Sequence, residues 1–290
     1  MGTEDFEAHR PHLTSVAYRM LGSRADAEDA VQEAWLRWAA ADRSAITDPR
    51  AWLTTVTGRI CLDVLRSARV RRETYIGQWL PEPLVERMAD PVADPAEQVA
   101  GRDEVSFALL VLMERLSPEQ RVAFVLHDVF AVPFDAIARA LDATPAAVRQ
   151  HASRARRAIA DGGIRHTADL AEQRAVLAAF IAATEAGDID GLLAILAPDV
   201  VVLGDSNGLA PVARKPVTGA VQVARFMIGL ARTFAKRAKI ESIPVLVNGS
   251  LGFMARLDDQ PAVMMFAIAD GRITGIFDQL NPEKLTRLPH

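Results

Sequence analysis

Four arginines, Arg149, Arg154, Arg156 and Arg157, stand between Pro145 and Ala160 with no acidic residue among them. At about 100° per residue, Arg149, Gln150, Ser153, Arg156 and Arg157 share one side of a helix, with Arg154 at its edge. Val148, Ala152, Ala155 and Ile159 form a narrow apolar face opposite. Guanidinium forks and a carboxamide on a helix that keeps its other face for its own core are groups for binding. They match the acceptor edges and phosphates of a DNA major groove. An ordinary solvated helix is the plainer alternative, but such helices usually mix both signs of charge.

Two further clusters lie upstream. Asp26, Asp29 and Glu33 line one side of the segment from Asp26 to Trp38, with Glu28 beside its start, where the helix dipole favours anions. Ala27, Val31, Ala34, Trp35 and Trp38 take the inward side. This acidic row is either a solvated face or a docking face for a basic partner helix, and spacing alone leaves both open. In the next segment Trp52, Thr55, Arg59, Asp63 and Arg66 share a face, and Arg69, Arg71 and Arg72 carry the positive charge onward. An exposed indole among arginines suits single-stranded DNA, where bases stack and phosphates are neutralised. A place for Trp52 in the core is the equal alternative.

These groups need elements to position them. Ser117-Pro118-Glu119-Gln120 reads as a capping box with proline at N1, followed by Val122, Val125, Leu126 and Val129 at helical spacing. Pro133 opens a short helix with Phe134, Ile137, Ala138 and Leu141 inward. Asp142-Ala143-Thr144-Pro145 breaks it and caps the arginine helix, so residues 117–159 predict a helix-turn-helix. Upstream, residues 5–21 read as a helix with Leu13, Val16, Ala17 and Met20 inward. Asp48-Pro49 caps another with Leu53, Val56, Ile60 and Val64 as its core side.

Residues 73–100 carry four prolines and six acids against one arginine, which predicts a semi-rigid acidic linker. Trp79-Leu80 within it are too apolar for an idle tether and are expected to dock. Beyond Asp161-Gly162-Gly163 the composition shifts: all four lysines come after this point and all four tryptophans precede it. Helices are expected at about 169–186, 189–196 and 219–234, with a strand at Val200–Leu203. Three later strand-like runs are punctuated by Asn248-Gly249, Asp258-Asp259 and Asp270-Gly271. Helices followed by an antiparallel sheet imply a separate α+β domain.

Bulk properties bound the rest. At 290 residues, half of them apolar, the chain is expected to hold several domains. A net charge of −4 requires any nucleic-acid binding to come from local patches. The lone Cys61 excludes an internal disulfide, suits a reducing, cytoplasmic setting, and lies in a core pattern. No run nears 18 apolar residues, no histidine has metal-ligand spacing with Cys61, and neither metal nor cofactor is expected.

Gly22-Ser23-Arg24-Ala25-Asp26-Ala27-Glu28-Asp29-Ala30-Val31-Gln32-Glu33 resembles region 2.2 of the extracytoplasmic-function (group IV) sigma factors of the sigma-70 class. Pro49-Arg50-Ala51-Trp52-Leu53 through Leu62-Asp63-Val64-Leu65-Arg66 is similar to regions 2.3 and 2.4, and Leu116 to Arg121 with the helix-turn-helix to region 4. The resemblance covers about residues 1–160. It implies a multidomain protein with sigma region 2 at 1–72, the linker at 73–100 and region 4 at 101–162. Residues 167–290 resemble the SnoaL-like branch of the NTF2 superfamily, a cone-shaped α+β fold.

The implied partners are core RNA polymerase and promoter DNA. Asp26, Glu28, Asp29, Gln32 and Glu33 would meet the clamp helices of the beta-prime subunit. Trp52, Arg59 and Arg66 would melt and read the −10 element. Arg149, Gln150, Ser153, Arg154, Arg156 and Arg157 would read and clamp the −35 element. Melting is then driven by binding, with no covalent chemistry.

The fusion matches a subgroup in which this extension stands in for an anti-sigma factor and modulates activity. Trp79-Leu80-Pro81-Glu82-Pro83-Leu84 and Asn281-Pro282-Glu283-Lys284 are its signatures, so Trp79, Leu80, Asn281, Pro282, Glu283 and Lys284 are expected regulatory contacts. A third signature, DGGG-like in the subgroup, is degraded here to Gly204-Asp205-Ser206-Asn207-Gly208.

Two rival readings remain open. A ligand-sensing helix-turn-helix repressor leaves the acidic and Trp/Arg helices unexplained. A SnoaL-like enzyme would need a pocket acid or histidine. No histidine lies within 170–280, and the acids Asp205, Asp258, Asp259, Asp270 and Asp278 are read mostly as turn residues, though Asp278 has a strand pattern that could face the cone interior. A small-molecule ligand in the cone stays open as a further partner.

Overall fold

The structure, a computed structural model, describes residues 2–72, 75–88, 105–208, 213, 215–235, 242–257 and 260–289. The chain divides into two compact units, Met1–Thr74 with Leu112–Gly162, and Tyr75–Val111 with Gly163–His290.

The first unit is helical: α1 (Gly2–Leu21), α2 (Arg24–Ala40), α3 (Pro49–Arg72), α5 (Pro118–Phe124), α6 (Phe134–Leu141) and α7 (Pro145–Ala160). Helix α4 (Phe107–Met113) begins in the second unit, and its last two residues belong to the first. The caps are those the residue types require. Ser23 accepts from Asp26 N, and Ser117 with Gln120 closes the capping box on α5. Asp48 Oδ1 accepts from Ala51 N at 3.0 Å at the start of α3.

Leu13, Val16, Ala17 and Met20 are buried as expected, as are Ala27, Val31, Ala34 and Trp38. Trp35 is half-buried, with its ring 5.1 Å from Phe6. On α3 the buried side is Leu53, Thr57, Ile60, Cys61 and Leu65, whereas Val56 and Val64 are half-buried. The inward face is thus rotated from the Val56/Val64 row. The reason is local: a Cβ on Gly58 would come 2.8 Å from Leu126 Cδ1, so α3 lies against the end of α5 along its Gly58 side. Cys61 is fully buried, and that burial pushes its thiol pKa up.

The second unit orders its strands β1-β4-β5-β6-β7-β2-β3, where β1 is Val85–Arg87, β2 Leu196–Asp205, β3 Val217–Thr218, β4 Ser242–Val247, β5 Ser250–Leu257, β6 Gln260–Ala269 and β7 Arg272–Gln279. Helices α8 (Leu170–Ala186), α9 (Ile189–Ile195) and α10 (Ala220–Ala235) bury Leu177, Phe180, Leu192, Val223 and Met227 with Phe266 and Ile276 of the sheet. The hairpin turns Asn248-Gly249 and Asp270-Gly271 have positive φ at both residues, which explains those residue types. Asp258-Asp259 lies outside the described residues.

Two expectations are corrected. The sheet is mixed and not purely antiparallel, because β2 runs parallel to β7 (Val202↔Ile276) and reaches it through the intervening elements. The linker is not all tether: Val85–Arg87 pairs with β4, Val85 opposite Val247. Residues 89–100 lie outside the described residues.

Candidate nucleic-acid and partner interfaces

Thr144 Oγ1 accepts from Ala147 N at 3.2 Å to start α7, and Asp142, left-handed at φ 52°, ends α6. Val148, Ala152 and Ala155 are buried, which turns Arg149, Gln150, Arg154, Arg156 and Arg157 outward and leaves Ser153 half-buried. The Arg149 guanidinium lies 5.8 Å from the Phe134 ring. Arg156 Nε donates to Asp128 Oδ1 at 2.6 Å, and among the described residues no other acid pairs with an α7 arginine. The helix therefore presents a cationic strip with one internal counter-charge, which spacing in the sequence did not reveal.

On α2, Glu28, Asp29 and Gln32 are exposed, and Asp26 and Glu33 half-buried. Glu33 Oε1 accepts from Arg37 Nε at 3.1 Å. Leu36, 56% exposed, continues the row one turn past Gln32 and Glu33. Its signal was an apolar residue seven positions after Asp29 on the polar side.

Trp52 is half-buried, its ring 5.6 Å from Trp38, so it is neither a free platform nor a core residue. It lines a concavity of about 400 Å³ with Thr55, Arg59, Arg37 of α2 and Arg139 of α6. Arg59 lies 3.8 Å from Asp63. Arg66 is engaged by Glu119 Oε1, to which its Nε and Nη2 donate at 3.1 and 3.0 Å. The side chains of Arg69, Arg71 and Arg72 lie outside the described residues.

In the second unit the remaining site residues converge on Asp205. It ends β2 and is fully buried, not a turn acid. Tyr75 OH donates to its Oδ1 at 2.5 Å, and Leu80 N and Lys284 Nζ donate to Oδ2 at 2.8 and 2.6 Å. Lys284 Nζ also donates to Leu80 O at 2.6 Å and stands 4.0 Å from the Trp79 ring centroid. Asn281 Nδ2 donates to Tyr75 OH at 2.9 Å, and its Oδ1 caps the turn Pro282–Lys284 through Glu283 N. Glu283 itself is exposed. Burial, then the bond to Asp205, raises the Tyr75 pKa, so the phenol stays a donor. With Asn207 N donating to Oδ1 at 3.3 Å as well, the buried carboxylate holds four donors, one of them cationic, which is how a low-dielectric site satisfies a charge. Trp79, Leu80, Asn281 and Lys284 are thus brought together. Tyr75 and Asp205 were missed as partners, and their signals were an acid closing an apolar strand and a tyrosine close to Trp79.

Asp278 on β7 is 6% exposed, opposite Met264 and Gly204 in register. It has no hydrogen-bond or ion-pair partner among the described residues. Burial pushes its carboxyl up to about 7. Among the described residues no cluster of His, Cys, Asp or Glu could hold a metal ion, and no helix is long and apolar enough to cross a membrane.

Residues 6–71 match the model of sigma-70 region 2, and 106–159 that of sigma-70 region 4. The chain is 46% identical to the ECF RNA polymerase sigma factor SigJ of Mycobacterium tuberculosis over all of this chain and 95% of that one. It is 42% identical to the probable ECF RNA polymerase sigma factor SigI of the same species over 67% of each chain. The crystal structure of M. tuberculosis SigJ superposes with a TM-score of 0.77 at 45% identity over 99% of both chains. The chain belongs to the extracytoplasmic-function sigma factors of the sigma-70 family, which serve promoter-specific transcription initiation. Its fold class is that expected: helical sigma segments followed by an α+β domain.

Proposed function

We propose that this sigma factor binds core RNA polymerase through Asp26, Glu28, Asp29, Gln32 and Glu33 of α2, meeting the clamp helices of the beta-prime subunit. Trp52, Arg59 and Arg66 take the melted −10 strand, and α7 reads the −35 duplex. Arg149 reads a base, Gln150 and Ser153 assist near the helix start, and Arg154, Arg156 and Arg157 hold phosphates. The functional segments are 1–72, 73–100, 101–162 and 167–290, and the protein works in the cytoplasm without chemistry of its own. The cationic, acid-poor outer strip of α7 is the observation that carries this reading.

The NTF2-like segment modulates activity through the contacts around Trp79, Leu80, Asn281, Pro282, Glu283 and Lys284. They join the stretch between the two DNA-binding segments to its sheet. Transcription in vitro from a candidate promoter, with purified core enzyme and the full chain, tests the whole reading. Failure to co-purify with core enzyme, together with sequence-specific binding of DNA alone, would favour a helix-turn-helix regulator instead. A small-molecule ligand for the sheet domain is kept as a second reading on one observation, the buried Asp278, unpartnered among the described residues.

A further inference from the structure

Helix α5 does not end as an α-helix. Val125–Val129 make a π turn, closed by Phe130 N on Val125 O at 3.1 Å. A π turn adds one residue to a helical turn and so rotates the residues beyond it about the helix axis. Val129, in the apolar row with Val122, Val125 and Leu126, is consequently only half-buried, and Asp128 reaches α7. There its Oδ1 accepts from Arg156 Nε at 2.6 Å; the Asp128 side chain is 22% exposed and that of Arg156 47%. With Nε occupied the guanidinium is tethered at that edge. Its two Nη groups have no partner among the described residues.

We propose that Asp128 is a positioning residue for DNA binding: it holds Arg156 so that the Nη pair meets one bidentate acceptor on the duplex. The acceptor is a phosphate, as proposed above; the O6/N7 edge of a guanine also fits a planar fork, and the test separates the two. The proposal rests on the proposed entry of α7 into DNA. It opposes the plain electrostatic expectation, in which a carboxylate near a polyanion repels it and its loss strengthens binding. The two views differ in sign.

The full-length protein, assembled with core RNA polymerase, is titrated with a duplex selected by the wild-type complex from a random-sequence library, and with a shuffled duplex. Asp128→Asn and Asp128→Ala are expected to weaken binding of the selected duplex about fivefold to tenfold, despite the loss of a negative charge. Equal or tighter binding overturns the proposal. Adding Arg156→Ala to Asp128→Ala should cost little more, since the two act as one unit, and a full second loss overturns it as well. Asp128→Glu, which keeps the carboxylate, should recover part of the affinity, and unchanged melting curves exclude a folding defect. A loss confined to the selected duplex identifies guanine, and an equal loss on both, with the salt slope reduced by about one, identifies phosphate. Arg149→Ala separates the two readings. If it too leaves binding unchanged, α7 is not the reader; if it weakens binding while Asp128→Asn does not, only this inference fails.

Discussion

The Lys284 ammonium lies 2.6 Å from the carboxylate of Asp205, one residue from the C-terminal 3₁₀ turn and the other fully buried at the end of β2. Between them they hold Tyr75 and the backbone of Leu80, so a pair formed within the sheet domain fixes a segment far upstream in sequence.

Lys284→Met should therefore destabilise the sheet domain by about 3 kcal/mol, because it leaves the Asp205 charge buried with neutral donors only. The same variant should expose residues 75–88 to limited proteolysis and alter transcription. A denaturation midpoint and cleavage pattern identical to wild type would show that the pair does not fasten this segment.

Asp29→Lys should weaken binding to core polymerase while shifting folding stability by no more than about 0.5 kcal/mol, because the side chain is exposed and no partner among the described residues is lost. Asp29 is the cleaner probe, since Glu33 already carries Arg37. Pull-down of the folded variant with core enzyme at wild-type affinity would remove the docking role.

Arg149→Ala should cost about 1–3 kcal/mol on a selected −35 duplex and relax one base position. Arg157→Ala should instead weaken all sequences alike. Competition against shuffled DNA decides: equal losses for Arg149→Ala on both duplexes would make it another phosphate contact.

Asp278 gives the stability a pH dependence of known sign. Its pKa is raised from 3.8 to about 7 in the folded protein, so the unfolded chain ionises first. Stability contributed by the protonated form is complete below about pH 4, falls as pH rises toward 7 and is flat beyond. The full effect is of order 4 kcal/mol. Asp278→Asn should melt higher than wild type at pH 8 and equally at pH 4, and parallel melting curves at both values would contradict the buried, unpartnered carboxyl. His166 works in the opposite direction. Its pKa is lowered, chiefly by burial, with Nδ1 accepting from Ile268 N at 3.1 Å, so its contribution is held above about pH 6.5 and lost as pH falls.

Local chemistry was the legible part of this chain. Ser117 with Gln120, Thr144 with Pro145, and Asn248-Gly249 each act within four residues, and each caps or turns as their types require. The outward arginines of α7 were legible because Val148, Ala152 and Ala155 fix the inward face. Pairings across long separations were not. Nothing near Glu119 announces Arg66, nothing near Asp128 announces Arg156, and three residues at Val85–Arg87 are too few to show a strand period. The π turn was hidden for another reason: it changes the helical period by one residue while keeping the same apolar types.

The pairing of Val85 with Val247 also sets an order of events during synthesis. Strand β1 leaves the ribosome 162 residues before the position it pairs with. At about 5–20 residues per second, that interval is roughly 10–30 s. In its later part, once residue 159 has been added, the nascent chain carries its region 2 and region 4 segments complete, while the stretch between them has no β4 to bind. Closing so distant a pair is slow on entropic grounds and falls at the very end of folding. A ribosome stalled before Ser242 would thus hold a sigma factor whose two DNA-binding segments are joined by an unfastened strand, a species distinct from the finished protein.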